Sequence, residues 1–116
     1  MVEITLEVPD KLARRLQPMH QWLPTLLELS LIGFQTPAAQ TASDLIAFLT
    51  KGPAPAAVVA YAVPEKHQQR LRRLLTLNEA GMLSPDEALE LDELEQLEHI
   101  MILLKAKAQE LLTKGS

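Results

Sequence analysis

The chain has 116 residues, 47% of them hydrophobic and 22% charged, with a net charge of −4 at neutral pH and a pI near 5.3. That is room for one domain, or for two very small modules, around a modest core. The absence of cysteine excludes disulfide frameworks, thiolate zinc sites, iron–sulfur clusters and cysteine nucleophiles. The acidic balance removes the simplest ground for nucleic-acid binding, a global basic excess. The longest apolar stretches, Ala56–Val63 and Ile100–Leu104, are far short of the ~20 residues of a membrane span. The first residues alternate polar and apolar instead of building a signal peptide, so a cytoplasmic protein without a membrane partner is expected.

In chain order, the first element is Val2–Val8 (VEITLEV), which alternates strictly between apolar and polar residues and predicts one half-buried β-strand. Pro9-Asp10 opens a helix carrying Leu12, Ala13 and Leu16, which must stop before Pro18. A second helix runs from Pro24 through Leu26, Leu27, Leu29 and Leu31 to Gly33, closing a unit over residues 1–35. Thr36–Ser43 is polar and proline-bearing, and Ser43 is a good N-cap for a short helix with Leu45, Ile46, Phe48 and Leu49 inward. Gly52-Pro53 ends it, and a proline–alanine connector follows. Ala56–Val63 is short enough to be helix or strand, its four alanines favouring helix, and it completes a middle segment over 36–63.

The last segment, 64–113, carries the strongest local signals. Pro64 starts a helix that reaches about Ala80, with Gly81 as a left-handed stop. Ser84-Pro85-Asp86-Glu87 places serine at an N-cap, proline at the first helical position and glutamate where it closes a capping box. Nothing then interrupts the helix until Gly115, a rod about 42 Å long. The expected fold is therefore mainly α. It has one short N-terminal strand, several short helices and a C-terminal antiparallel helical hairpin with a long last helix.

A single strand cannot satisfy its own backbone hydrogen bonds, and no later segment offers a second one. The order strand, Pro-Asp, helix, turn, helix, written Ile4-Thr5-Leu6-Glu7-Val8-Pro9-Asp10-Lys11-Leu12 through Leu16, resembles the ribbon-helix-helix family. The resemblance covers roughly residues 2–34. It implies an intertwined dimer of the kind found in bacterial repressors and antitoxins, with Ile4, Thr5, Leu6, Glu7 and Val8 forming the dimer ribbon. The positions that read DNA in that family are here Glu3, Thr5 and Glu7, the wrong electrostatic sign for phosphate. Trp22-Leu23-Pro24 stands where the family has a serine or threonine at the start of the second helix. Direct nucleic-acid binding is therefore not expected, and a DNA-binding regulator remains an alternative.

The C-terminal hairpin is similar to that of small, uncharacterised, mostly cyanobacterial proteins often encoded beside nuclease genes. The likeness lies in Leu74-Leu75-Thr76-Leu77-Asn78, the turn Gly81–Glu87, Leu94, Leu97-Glu98-His99 and Lys105-Ala106-Lys107-Ala108. It implies an antitoxin or nuclease-accessory role, with a nuclease or toxin as the protein partner. Charge fits a docking surface: Asp86, Glu87, Glu90, Asp92, Glu93, Glu95 and Glu98 give seven acids and no base between Ser84 and Glu98. The same acids would also attract the stripe Lys66, Arg70 and Arg73 of the preceding helix, which is the plainer reading.

Leu94, Leu97, Met101, Leu104, Ala108 and Leu111 keep a 3–4 spacing, and Ile100–Leu104 is apolar on every side of the helix. The preceding helix can cover one side through His67, Leu71, Leu74 and Leu75. The middle segment, a second copy or a partner must cover the rest. Leu94, Leu97, Ile100, Met101, Leu103 and Leu104 are accordingly the expected partner or oligomer interface.

Enzyme readings are poor. His99 lies four residues after Glu95, but Gln96 stands where the glutamate of a helical Glu-x-x-His metal motif would be. His20 and His67 have no convincing nucleophile nearby, and the four glycines are scattered singles. Trp22, Phe34, Phe48 and Tyr61 are expected as core or interface anchors. No catalytic residue, metal or cofactor is expected. The function expected is a non-catalytic protein-binding module, antitoxin-like or nuclease-accessory, that dimerises and holds a partner. A structural subunit of a larger assembly is the alternative from another class.

Overall fold

In the computed structural model, which describes residues 2–115, the chain forms six α-helices and one 3-10 segment. These are α1 (Asp10–Leu16), the 3-10 segment Gln17–Trp22, α2 (Leu23–Ile32), α3 (Ala38–Leu49), α4 (Pro55–Ala60), α5 (Glu65–Glu79) and α6 (Pro85–Gly115). The chain is thus mainly helical, and no strand occurs among the described residues.

The expected hairpin is present, and local chemistry sets both ends of its turn. Gly81 adopts φ +70°, and the N–H groups of Met82 and Gly81 donate to the carbonyls of Leu77 and Asn78 at 2.9 and 3.0 Å. These bonds satisfy carbonyls that the end of α5 leaves open. At the start of α6 the Ser84 N–H donates to Glu87 Oε1 at 3.0 Å, and the Glu87 N–H donates back to Ser84 Oγ at 3.2 Å. Hydrogen bonds to it from the Ser84 backbone N–H and the Ser84 hydroxyl hold the Glu87 carboxyl below the usual carboxylate range.

Along α6, Leu91, Leu94, Leu97, Ile100, Leu104 and Ala108 are buried. They share one core with Leu74 of α5, Val58 of α4, Leu45 and Leu49 of α3, and Trp22, Leu26 and Leu29 before them. Helices α3, α4 and α5 all pack on α6, α4 most extensively. The middle segment therefore supplies a second cover for Ile100 and Leu104, but Ile102 and Leu103 of the same belt stay exposed, so the belt is not covered on every side. Each leucine removed from water contributes roughly 1.5–3 kcal/mol. Because the core draws on all three segments, the boundaries near residues 35 and 63 do not interrupt it.

Two local expectations are corrected, and a third is not met within the single chain. Ser43 does not cap a helix. Helix α3 begins five residues earlier, at Ala38, whose N–H donates to Thr36 Oγ1 at 3.2 Å. The polar run 38–43 escaped notice as helix because only Ala38, Thr41 and Ala42 of it face the core. The segment Ala56–Val63 is helical only to Ala60. Beyond it Tyr61 stacks on Phe48 with ring centroids 4.6 Å apart. Finally, residues 2–9 form no strand in the single chain. A lone strand leaves its backbone donors unpaired, and nothing in this copy pairs with it.

Pro18 ends α1 as expected, yet the chain continues as a 3-10 turn that buries Trp22 completely. The Trp22 indole N–H donates to the Pro53 carbonyl at 2.8 Å, tying this turn to the connector after α3. Gly52 beside it has φ +67°, and a Cβ there would sit 2.3 Å from the Pro18 carbonyl oxygen. Gly33 also has a positive φ, +68°, but open space around it. Gly33→Ala should therefore cost only the left-handed backbone, about 1 kcal/mol, whereas Gly52→Ala should cost about 2–4 kcal/mol because backbone must also move. Urea unfolding of the two variants checks the difference.

Candidate interaction surfaces

The seven acids at the start of α6 do not form one face. Asp86, Asp92, Glu95 and Glu98 are exposed, while Glu87 is occupied by the capping box. Glu90 and Glu93 point inward and are 6% and 5% exposed. Both are therefore removed from the expected docking face. Their spacing carries the reason: Glu90 and Glu93 lie four residues before Leu94 and Leu97, on the buried stripe of the helix.

Each inward acid is fully engaged. Arg70, taken from the basic stripe of α5, grips Glu90 with two parallel bonds, Nε at 2.9 Å and Nη2 at 2.8 Å. Glu93 reaches the loop ahead of α3, where it accepts the N–H groups of Gln35 (2.8 Å) and Thr36 (3.1 Å) and the Thr36 hydroxyl. Burial pushes the Glu93 carboxyl up, but the hydrogen bonds from Thr36 and Gln35 outweigh it and hold the group below the usual carboxylate range.

The apolar seam is also internal. Leu94, Leu97, Ile100 and Leu104 are 2–7% exposed and belong to the chain's own core, which corrects their assignment to a partner interface. Met101 is half-buried at the edge of that core. Leu103, on the far side of the helix, is 53% exposed beside Ile102. Of the expected interface it alone remains free.

The N-terminal residues differ from all of these. Ile4, Thr5, Leu6 and Glu7 are exposed and Val8 is half-buried. Val2, Ile4 and Leu6 expose 90, 79 and 70% of their surface. Helix α1 that follows has no buried residue at all. Among the histidines, His67 Nδ1 is hydrogen-bonded to the Thr41 hydroxyl, joining α5 to α3, whereas His20 and His99 are exposed.

Two grooves flank α6. One, of about 450 Å³, lies between α3, Tyr61–Val63, α5 and α6, with Leu45, Leu71, Leu97 and Met101 among its walls and Lys105 at its rim. The other, of about 440 Å³, lies between α2 and α6 and is lined by Glu28, Ile32, Asp92, Glu95, Gln96, His99 and Ile100. Sequence reasoning missed Glu28 as a neighbour of the acids on α6. Nothing in the spacing of α2 shows which helix it packs against. No group of three or more His, Asp or Glu side chains among the described residues is placed to hold a metal ion. No helix among them is long and apolar enough to cross a membrane. No family model, curated protein or solved structure matches the chain.

The Glu93 geometry gives a pH prediction. Its folded-state value lies below its unfolded one, so its stabilisation is complete above the ordinary carboxylate range. That stabilisation is lost as the pH falls through the lowered value. Glu93→Gln should destabilise the protein by about 1.5–3 kcal/mol at neutral pH, and the difference from wild type should shrink in acid. Urea titrations of both proteins across this range measure it.

Proposed function

We propose that this chain is a non-catalytic protein-binding module. It pairs with a second copy through its N-terminal segment and meets a protein partner with the acidic edge of α6, as an antitoxin or a nuclease-accessory subunit would. One observation carries the reading. Val2, Ile4 and Leu6 are exposed, and no residue of the helix after them is fully buried, while the core from Trp22 to Ala108 is assembled without them. Apolar side chains on alternate positions of an unpaired segment invite a second strand, which supplies both the hydrogen-bond ladder and the apolar cover.

The pairing strand runs through Ile4, Thr5, Leu6, Glu7 and Val8. Glu3 and Glu7 then lie on the outer face, so two copies bring four carboxylates together. Such a ribbon repels phosphate and favours a protein partner over DNA. The exposed Asp86, Asp92, Glu95 and Glu98 suit a basic surface, because complementary charge speeds encounter and suppresses wrong partners. A basic nuclease or toxin has that chemistry.

Leu6→Pro removes a ladder donor without touching the core and should convert dimer to monomer while leaving the helical signal intact. Analytical ultracentrifugation with circular dichroism checks both. A wild-type protein that is monomeric at high micromolar concentration overturns the pairing. Affinity capture from the native host, read by mass spectrometry, tests the partner class, with a nuclease or toxin as the main protein expected.

A further inference from the structure

Helix α1 and the α2/α6 groove have matching defects. Helix α1 carries Lys11, Arg14 and Arg15, all exposed and without an ion-pair partner among the described residues. At ~100° per residue these three share one face, and Leu12 and Leu16 form the neighbouring stripe. Leu12 is 39% exposed, and the helix buries no residue. It is a basic, amphipathic helix that touches the 3-10 segment after it and leaves its apolar stripe only partly covered, Leu16 being half-buried.

The groove presents the complement. Glu28 from α2 faces Asp92 and Glu95 from α6 across it. Asp92 accepts a bond from the neutral Gln96 amide at 2.9 Å, which leaves its charge uncompensated. Neither Glu28 nor Glu95 has an ion-pair partner among the described residues. Next to Glu28 on α2, Leu27 and Leu31 form a stripe that is 54% and 84% exposed. Each surface is thus an apolar stripe beside a charged one, and the charges are opposite.

We propose that α1 of one copy docks along the α2/α6 groove of a second copy. Lys11, Arg14 and Arg15 meet Glu28, Asp92 and Glu95, and Leu12 and Leu16 cover Leu27 and Leu31. The inference rests on the pairing of two copies argued above, adds the surface that receives the helix after the ribbon, and takes Asp92 and Glu95 for the second copy, leaving Asp86 and Glu98 as the acids that meet the protein partner. A two-fold axis gives two such contacts per dimer, since each copy offers both the helix and the groove. Interfaces of this kind gain specificity and encounter rate from charge, so self-association should weaken as salt rises.

A charge exchange tests it on the full chain. One variant carries Arg14→Glu and Arg15→Glu, the other Glu28→Arg and Glu95→Arg. All four positions are exposed, so both variants should keep the wild-type circular dichroism. Each alone should self-associate at least tenfold more weakly than wild type by sedimentation equilibrium. Mixed one to one, they should regain the wild-type dimer mass, because every helix–groove pair is then of opposite sign. Wild-type association by either variant alone, or failure of the mixture to recover, overturns the docking. Leu6→Pro separates this outcome from the ribbon. Loss of dimer by Leu6→Pro with charge variants unaffected leaves the ribbon and removes the helix docking. Rescue by the mixture with Leu6→Pro still dimeric leaves the docking and removes the ribbon.

Discussion

The structure depends on one requirement: α6 carries apolar side chains on more than one side of a single helix and cannot be covered by one neighbour. Helix α5 covers the face that the turn delivers to it, burying Leu74. A second face is closed by α4, a six-residue helix of proline, alanine and valine, while Ile102 and Leu103 stay open. Its small side chains let its backbone lie close, and only Val58 needs to be fully buried. Pro53 and Pro55 fix their own φ angles and so narrow the backbone freedom of the approach to α4. With α4 in place, α3 and the 3-10 turn follow, because both are joined to the same connector.

Charge then pins what the leucines gather. Glu87, Glu90 and Glu93 are spaced by three along α6, and each reaches a different piece of chain: the helix's own first turn, Arg70 of α5, and the loop before α3. The last matters because α3 has no side-chain cap from its own N-cap residue. Glu93 supplies acceptors to that loop from 57 residues away in sequence. A carboxylate satisfied by hydrogen bonds in a half-dry site specifies geometry more than it adds net stability. The acids left on the surface, Asp86, Asp92, Glu95 and Glu98, have no such contact to make within the fold and stay exposed.

The readable parts of this fold were those whose causes are local. The capping box at Ser84–Glu87, the glycine stop at Gly81 and the proline limits of α1 each depend on a few adjacent residues, and each was legible in the sequence. The demand for a second cover was legible for Ile100 and Leu104, but neither the segment that meets it nor the exposure of Ile102 and Leu103 was. Glu90 and Glu93 look like surface acids in a run of seven, and only the partners, distant in sequence, reveal their burial. The start of α3 was hidden both by the polar character of 38–43 and because the group that steadies its entry comes from α6. A strand at Val2–Val8 needs the backbone of a second strand to complete its hydrogen bonds, and the single chain, which supplies none, leaves that segment without regular structure.

The only tryptophan of the chain stands at the joint between its first and middle parts, fully enclosed and bonded to the Pro53 carbonyl. Its fluorescence is consequently a local signal, emitted from the seat where the 3-10 turn meets the connector. Far-UV circular dichroism, in contrast, is weighted toward the long hairpin. Where the two signals melt together, the molecule opens as one cooperative unit; where the indole becomes wet first, the joint unlatches while the hairpin persists. The natural position of one indole therefore distinguishes global unfolding from local undocking without any label.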